Sequence, residues 1–253
     1  MPKYDLRKKE NDLELCIDNK AICTLKNIPK GAFNREDGES VKINEFYMAE
    51  FPVSQEFYKI VTGKNPSRFT GMQHPVERIS WYDAIRFCGK INEEIKELNN
   101  SELLKFNVLK EKELDSFGLN PTSLGFRLPT ESEWEYAARG NKVYKYSGSD
   151  ILDLVGWYYE NSGHETKPVG RKFPNTFGLY DMSGNVLEWC WDWYGEYNKN
   201  ELNNPVGAKS GSYRVLRGGS WFIDAIRCEV AYRNDDFPRN SYYITGFRII
   251  FVP

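Results

Sequence analysis

Apolar residues recur at helical spacing in three stretches of the chain, each opened by a residue suited to cap a helix. Ser54 precedes Gln55-Glu56-Phe57-Tyr58-Lys59-Ile60-Val61, and Gly63 supplies a stop. Ser80 opens a longer segment. Asp83 stands three residues on as a capping-box partner, and Ala84, Phe87, Cys88, Ile91 and Ile95 form one apolar stripe. Thr130 and Glu133 repeat the device: Pro129 fixes the entry, Trp134, Ala137 and Ala138 face inward, and Gly140 ends the segment. The pattern predicts a helix at each.

Between Asn99 and Leu124 the sequence is polar and aperiodic, which predicts an inserted surface loop with one short helix around Leu103 to Leu109. From Val155 onward, short aromatic and β-branched runs alternate with Gly, Pro and Asn clusters. Lys167 to Gly170, Arg214 to Arg217 and Gly246 to Val252 read as strands. Neither an internal repeat nor a βαβ rhythm is visible. The expectation is a loop-rich α+β fold, with helices early, short strands late and long loops held by aromatic packing.

Composition narrows the function classes. Of 253 residues, 40% are hydrophobic and 15% aromatic, which fits a packed globular fold and excludes disorder. Acids and bases nearly cancel to a formal charge of -2, leaving no electrostatic footprint for nucleic acid. No apolar run approaches the roughly 20 residues of a membrane helix, so no transmembrane segment is expected. The start, Met1 to Glu10, is charged rather than signal-like. The five cysteines, Cys16, Cys23, Cys88, Cys190 and Cys228, are odd in number and lack CxxC spacing. They read as buried free thiols rather than a zinc site or a disulfide framework. His74 and His164 stand in unrelated loops, which argues against a histidine-built metal or triad site.

Several ordered phrases carry a family resemblance. Asn65-Pro66-Ser67, Pro75-Val76-Glu77, Ser80-Trp81-Tyr82-Asp83-Ala84 and the run Arg127 to Ala137 are similar to the sulfatase-modifying-factor, or formylglycine-generating-enzyme, family. Asn175 to Trp189, Arg217-Gly218-Gly219-Ser220-Trp221 and Gly246-Phe247-Arg248 continue it in order to the last residues. The resemblance implies one C-type lectin-like domain over residues 1–253, with a small twisted antiparallel sheet, flanking helices and termini near each other. Gly178, Gly184, Gly218 and Gly219 then mark tight turns or close approaches. Trp134, Trp189, Trp191, Trp193 and Trp221 read as packing anchors. The family also implies calcium near Asp181 and Glu188, whose carboxylates suit the ion and equally suit turn caps.

The family's oxidoreductase chemistry on a sulfatase cysteine needs a reactive cysteine pair after the Arg217–Ser220 phrase. Here the chain reads Trp221-Phe222-Ile223-Asp224-Ala225-Ile226-Arg227-Cys228, with one cysteine, and Cys228-Glu229-Val230-Ala231 predicts a strand with the thiol inside. No Ser-His-Asp or Cys-His arrangement replaces it, so no catalytic residue is assigned.

A narrower resemblance is to the variable proteins of diversity-generating retroelements, of the treponemal type, which diversify a terminal lectin-like segment. Their fixed points match Arg217 to Trp221, Ala225, Cys228, Val230-Ala231, Arg233, Pro238 and Gly246-Phe247-Arg248 within a variable region spanning 214–253. Between them lie Phe222, Ile223, Asp224, Ile226, Arg227, Tyr232, Asn234, Asp235, Asp236, Phe237, Arg239, Asn240, Tyr242, Tyr243 and Ile244. All are encodable by a codon ending in a pyrimidine, which excludes Lys, Glu, Gln, Met and Trp. Those five types make up about a fifth of ordinary composition, so fifteen positions avoid them all by chance in only a few per cent of cases. Rigid aromatics mixed with Asn, Asp and Arg resemble a paratope. The expectation is a non-enzymatic ligand-binding protein that turns these positions outward over a buried layer of Trp221, Ala225, Cys228, Val230 and Ala231. The resemblance implies display on the bacterial surface, with no anchor or signal written in this chain, and a protein or other macromolecular ligand. A formylglycine-forming oxidoreductase or an accessory member of that family is the alternative.

Overall fold

The computed structural model describes residues 3–95, 98 and 101–253. The chain opens with six strands: β1 (Tyr4–Lys9), β2 (Asp12–Ile17), β3 (Lys20–Ile28), β4 (Gly31–Asn34), β5 (Ser40–Ile43) and β6 (Phe46–Ala49). Helices α1 (Gln55–Thr62) and α2 (Trp81–Glu94), a 3-10 turn (Glu102–Asn107), α3 (Glu111–Asp115), β7 (Gly125–Arg127), α4 (Glu131–Arg139) and α5 (Leu152–Val155) follow. The rest holds β8 (Leu187–Trp193), β9 (Arg214–Arg217), a 3-10 turn (Ala225–Cys228), β10 (Arg233–Asp236), β11 (Thr245–Gly246) and β12 (Ile250–Val252).

The three long helices start and stop where their caps predict. Ser80 and Thr130 close capping boxes with Asp83 and Glu133, and Gly63 and Gly140 end α1 and α4 in the left-handed conformation. Each box satisfies amide groups that the first turn leaves without helical partners.

The main sheet runs β1-β2-β3-β6-β12-β7, and all its pairs are antiparallel. Alternation along it buries both faces. Phe126 and Phe251 pack toward the α2 stripe, whereas Met48 and Ile250 join Trp134, Ala137 and Ala138 of α4. β12 sits inside the sheet, with Ile250 opposite both Met48 and Arg127. β1 and β12 share the sheet but are not neighbours; β2, β3 and β6 separate them, about 19 Å at ordinary strand spacing. A second sheet, β10-β9-β8-β11, places β10 on its edge.

Five readings need correction. Gly246 to Val252 is not one strand: Gly246 ends β11 in the second sheet, and β12 of the main sheet begins only at Ile250. The opening strands carry little signal in the sequence, because the solvent-side charges of residues 4–28 dilute the alternation. The 99–124 insert is packed rather than superficial: Leu103, Phe106 and Leu114 are fully buried, and its helical turn ends at Asn107. Residues 99 and 100 lie outside the described residues. Lys167 to Gly170 is not a strand. Its amides go instead to Asn185 Oδ1, the Gln73 carbonyl and Asp181 Oδ2. Cys228 to Ala231 is not a strand either; Cys228 ends a 3-10 turn, the Val230 amide bonds the Lys145 carbonyl, and pairing begins only at Arg233.

Candidate functional site

The segment between β9 and β12 is tied to the scaffold largely through its backbone. The amides of Arg78, Trp81, Tyr159 and Leu187 donate to the carbonyls of Tyr242, Pro238, Ile223 and Ile244 at 2.8–3.2 Å. Ser162 Oγ donates to the Trp221 carbonyl at 2.9 Å, and the Trp221 indole donates to the Tyr243 carbonyl at 3.0 Å. Main-chain carbonyls accept these bonds whatever side chain the residue bears. The loop path is therefore largely independent of the side chains it carries.

Charged groups of α4 secure the flanks. Arg217, fully buried, donates to Glu131 at 3.1 Å, to Glu135 at 2.8 Å and to the Val230 carbonyl at 2.7 Å. Arg233 forks onto both Glu131 oxygens at 2.7 Å and lies 4.1 Å over the Tyr197 ring. The Glu131 amide in turn donates to buried Asp192 Oδ2 at 2.7 Å. Desolvation, with Glu131 nearby, pushes the Asp192 carboxyl up to about 8. Gly219 permits the close fold of the loop. With φ at 75°, it lies where a Cβ would collide with Sγ of Cys228.

None of the fifteen positions between the fixed points is buried. Phe222, Asp224, Ile226, Arg227, Asp235, Phe237, Arg239 and Tyr242 are exposed; Ile223, Tyr232, Asn234, Asp236, Asn240, Tyr243 and Ile244 are half-buried. Beneath them Trp221, Cys228 and Val230 are buried, whereas Ala225 and Ala231 are only half-buried, because each lies in an open turn. The structure brings Phe222 and Tyr243 together over Trp221, with ring centres 5.1 and 5.7 Å from the indole. Phe237 instead packs on Tyr213 at 4.4 Å, and Arg239 pairs with Glu111 of α3 at 2.7 Å. Asp236 and Asn240 hydrogen-bond each other at 2.6 Å. Ile223 and Ile244 also lean on the main core, so they are the least free of the set. Two exposed residues from elsewhere in the chain, Arg68 and Tyr159, join the patch; their distance in sequence hid them.

The pair expected near calcium, Asp181 and Glu188, is buried and does not fit the ion. Glu188 takes Arg248 Nε and Nη2 at 2.6 and 2.8 Å, and the Trp134 indole N–H at 2.7 Å. A guanidinium thus supplies the positive charge that a cation would bring. Asp181 accepts the Gly170 amide at 2.8 Å, and burial raises its carboxyl to about 6. Both carboxylates act as structural acceptors. Among the described residues, no three metal-binding His, Cys, Asp or Glu side chains converge. Four of the five thiols, Cys16, Cys88, Cys190 and Cys228, are buried, and Cys23 is half-buried. All five are free, and burial raises Cys228 to about 12 and Cys190 well above its ordinary value.

Two irregular sheets and a short β4-β5 hairpin, laced by long loops, with β12 inserted between β6 and β7, define an α+β protein of the C-type lectin-like, formylglycine-generating-enzyme type. The chain belongs to the sulfatase-modifying factor family: residues 23–252 match the Sulfatase-modifying factor enzyme 1-like domain. Treponema denticola variable protein 1 superposes with a TM-score of 0.80 at 32% identity, covering 100% of both chains. Chaperone protein LppX of Paenibacillus barcinonensis is 34% identical over 220 residues, 77% of this chain and 75% of that protein. The formylglycine-generating enzyme of Mus musculus is 30% identical over 218 residues, 78% of this chain, and the match spans 49% of the enzyme. Among the described residues, no helix is long and apolar enough to cross a membrane.

Proposed function

We propose that the protein is a non-enzymatic binder, in which one domain over residues 1–253 presents the 214–253 region as a diversified surface to a protein or other macromolecular ligand. The observation that carries this reading is the division of labour in the loops. Backbone carbonyls make most of the ties to the scaffold, while the fifteen side chains stand partly or fully open. Exposed aromatics among Asn, Asp and Arg supply rigid contact area beside adaptable polar groups. Full-length similarity to a variable protein supports the same role, and with it display on the bacterial surface. The lone buried thiol of Cys228 weighs against formylglycine formation, which needs an accessible thiolate.

Sequencing this gene across isolates tests the proposal. Differences concentrated at Phe222, Ile223, Asp224, Ile226, Arg227, Tyr232, Asn234 to Phe237, Arg239, Asn240 and Tyr242 to Ile244 are expected. Differences scattered evenly along the chain would overturn it.

A further inference from the structure

Arg68 and Tyr159 bracket the aromatic part of the patch, though neither belongs to the diversified set. The Arg68 guanidinium stands 5.0 Å over the Tyr243 ring, and the Tyr159 ring lies 6.1 Å from that of Phe222. Both residues are exposed, Tyr159 by 45%. Their backbones are fixed from below. The amides of Arg68 and Phe69 both donate to buried Glu77, the second at 2.8 Å, and the Tyr159 amide donates to the Ile223 carbonyl at 3.2 Å. Among the described residues, the Arg68 guanidinium has no carboxylate within ion-pair distance. Its planar fork is shaped for one, and stacking 5.4 Å over the ring of Phe69, which lies outside the diversified set and packs on Trp221, holds it ready whatever residue stands at 243.

We infer that Arg68 and Tyr159 form a constant anchor, which takes a carboxylate with an adjoining apolar side chain on the surface of a protein ligand. This rests on the binding role proposed above. The diversified residues between the two then tune which acidic surface is chosen, while the anchor supplies contact common to all variants.

The test uses the full chain displayed with all fifteen positions randomised, selected separately on ovalbumin, an acidic protein, and on lysozyme, a basic one. Arg68→Ala and Tyr159→Ala are then placed in about ten independent clones of each set. We expect Arg68→Ala to weaken most ovalbumin clones at least tenfold and the lysozyme clones less, and Tyr159→Ala to weaken both sets. Arg68→Lys should restore only part of the loss, because it keeps the charge without the fork. Should Tyr159→Ala lower the melting temperature, Tyr159→Leu keeps apolar bulk against His164 and removes the planar face. Ovalbumin clones within twofold of their parents in both anchor variants would overturn the anchor while leaving the diversified surface standing. A library that yields no binder to either protein removes both.

Discussion

The Trp221 indole N–H donates to the backbone carbonyl of Tyr243 at 3.0 Å, so a buried aromatic holds half-buried residue 243 by its main chain rather than by its side chain. Such a bond survives any residue at 243 and fails when the indole is removed.

The first prediction follows directly. Phe222→Ser, Tyr232→Asn, Phe237→Asp and Tyr242→Asn combined should cost at most about 2 kcal/mol, since substitutions at exposed and half-buried loop positions each shift stability by about 0.5 kcal/mol or less. Trp221→Ala should cost roughly 3–5 kcal/mol, because it leaves a cavity and strands the Tyr243 carbonyl. Thermal melts compare the two. A quadruple variant that melts as low as Trp221→Ala would show that these side chains hold the fold.

A second prediction concerns pH. Asp192 is protonated more readily in the folded chain, at about 8, than in the unfolded one, where it titrates near its ordinary 3.8. The folded state therefore binds the extra proton between those values. The stabilising contribution of Asp192 is fully present below about pH 4 and is lost as pH rises to about 8, by at most about 1.4 kcal/mol per pH unit. Asp192→Asn keeps an acceptor for the Glu131 amide and should flatten this part of the profile. Urea unfolding at several pH values gives the answer, and parallel wild-type and Asp192→Asn profiles would refute it.

Thiol chemistry supplies the third. With its pKa at about 12, the Cys228 thiol should resist iodoacetamide at pH 8 in the folded protein and react only on unfolding. No aldehyde should form on a sulfatase-type cysteine peptide. Turnover that disappears in Cys228→Ser would reverse the non-enzymatic reading.

The fourth separates buried from exposed ion pairs. Glu131→Ala removes the partner shared by Arg217 and Arg233 and should cost about 3–5 kcal/mol, leaving the buried Arg217 charge undercompensated. Lys20→Ala removes an exposed partner of Glu56 and should cost at most about 1 kcal/mol. Equal losses in urea unfolding would remove the special role given to the α4 carboxylates.

The parts legible in the sequence are those whose signals are local. Caps at Ser54, Ser80 and Thr130 act within one turn, and the open loops after Trp221 show in their mixture of aromatic and polar residues. Long-range pairing was harder to read. Leu13, Leu15 and Leu25 lie in β2 and β3 among lysines and glutamates, which hid the sheet, and Leu103 and Phe106 point inward only because Trp191 and α2 receive them. Glu188 reads as a metal ligand from its neighbours in sequence, whereas Arg248, sixty residues on, occupies both its oxygens in the fold.

The place of β12 sets a condition on inheritance. A strand that follows the open loops in sequence yet lies between β6 and β7 must be translated in frame before the main sheet can close. An insertion or deletion that shifts the frame upstream erases it and leaves Phe46–Ala49 and Gly125–Arg127 as unpaired edges prone to aggregation and proteolysis. A frameshift in the loops is therefore read out as a failure to fold, whereas an in-frame change at an open loop residue leaves β12 in place.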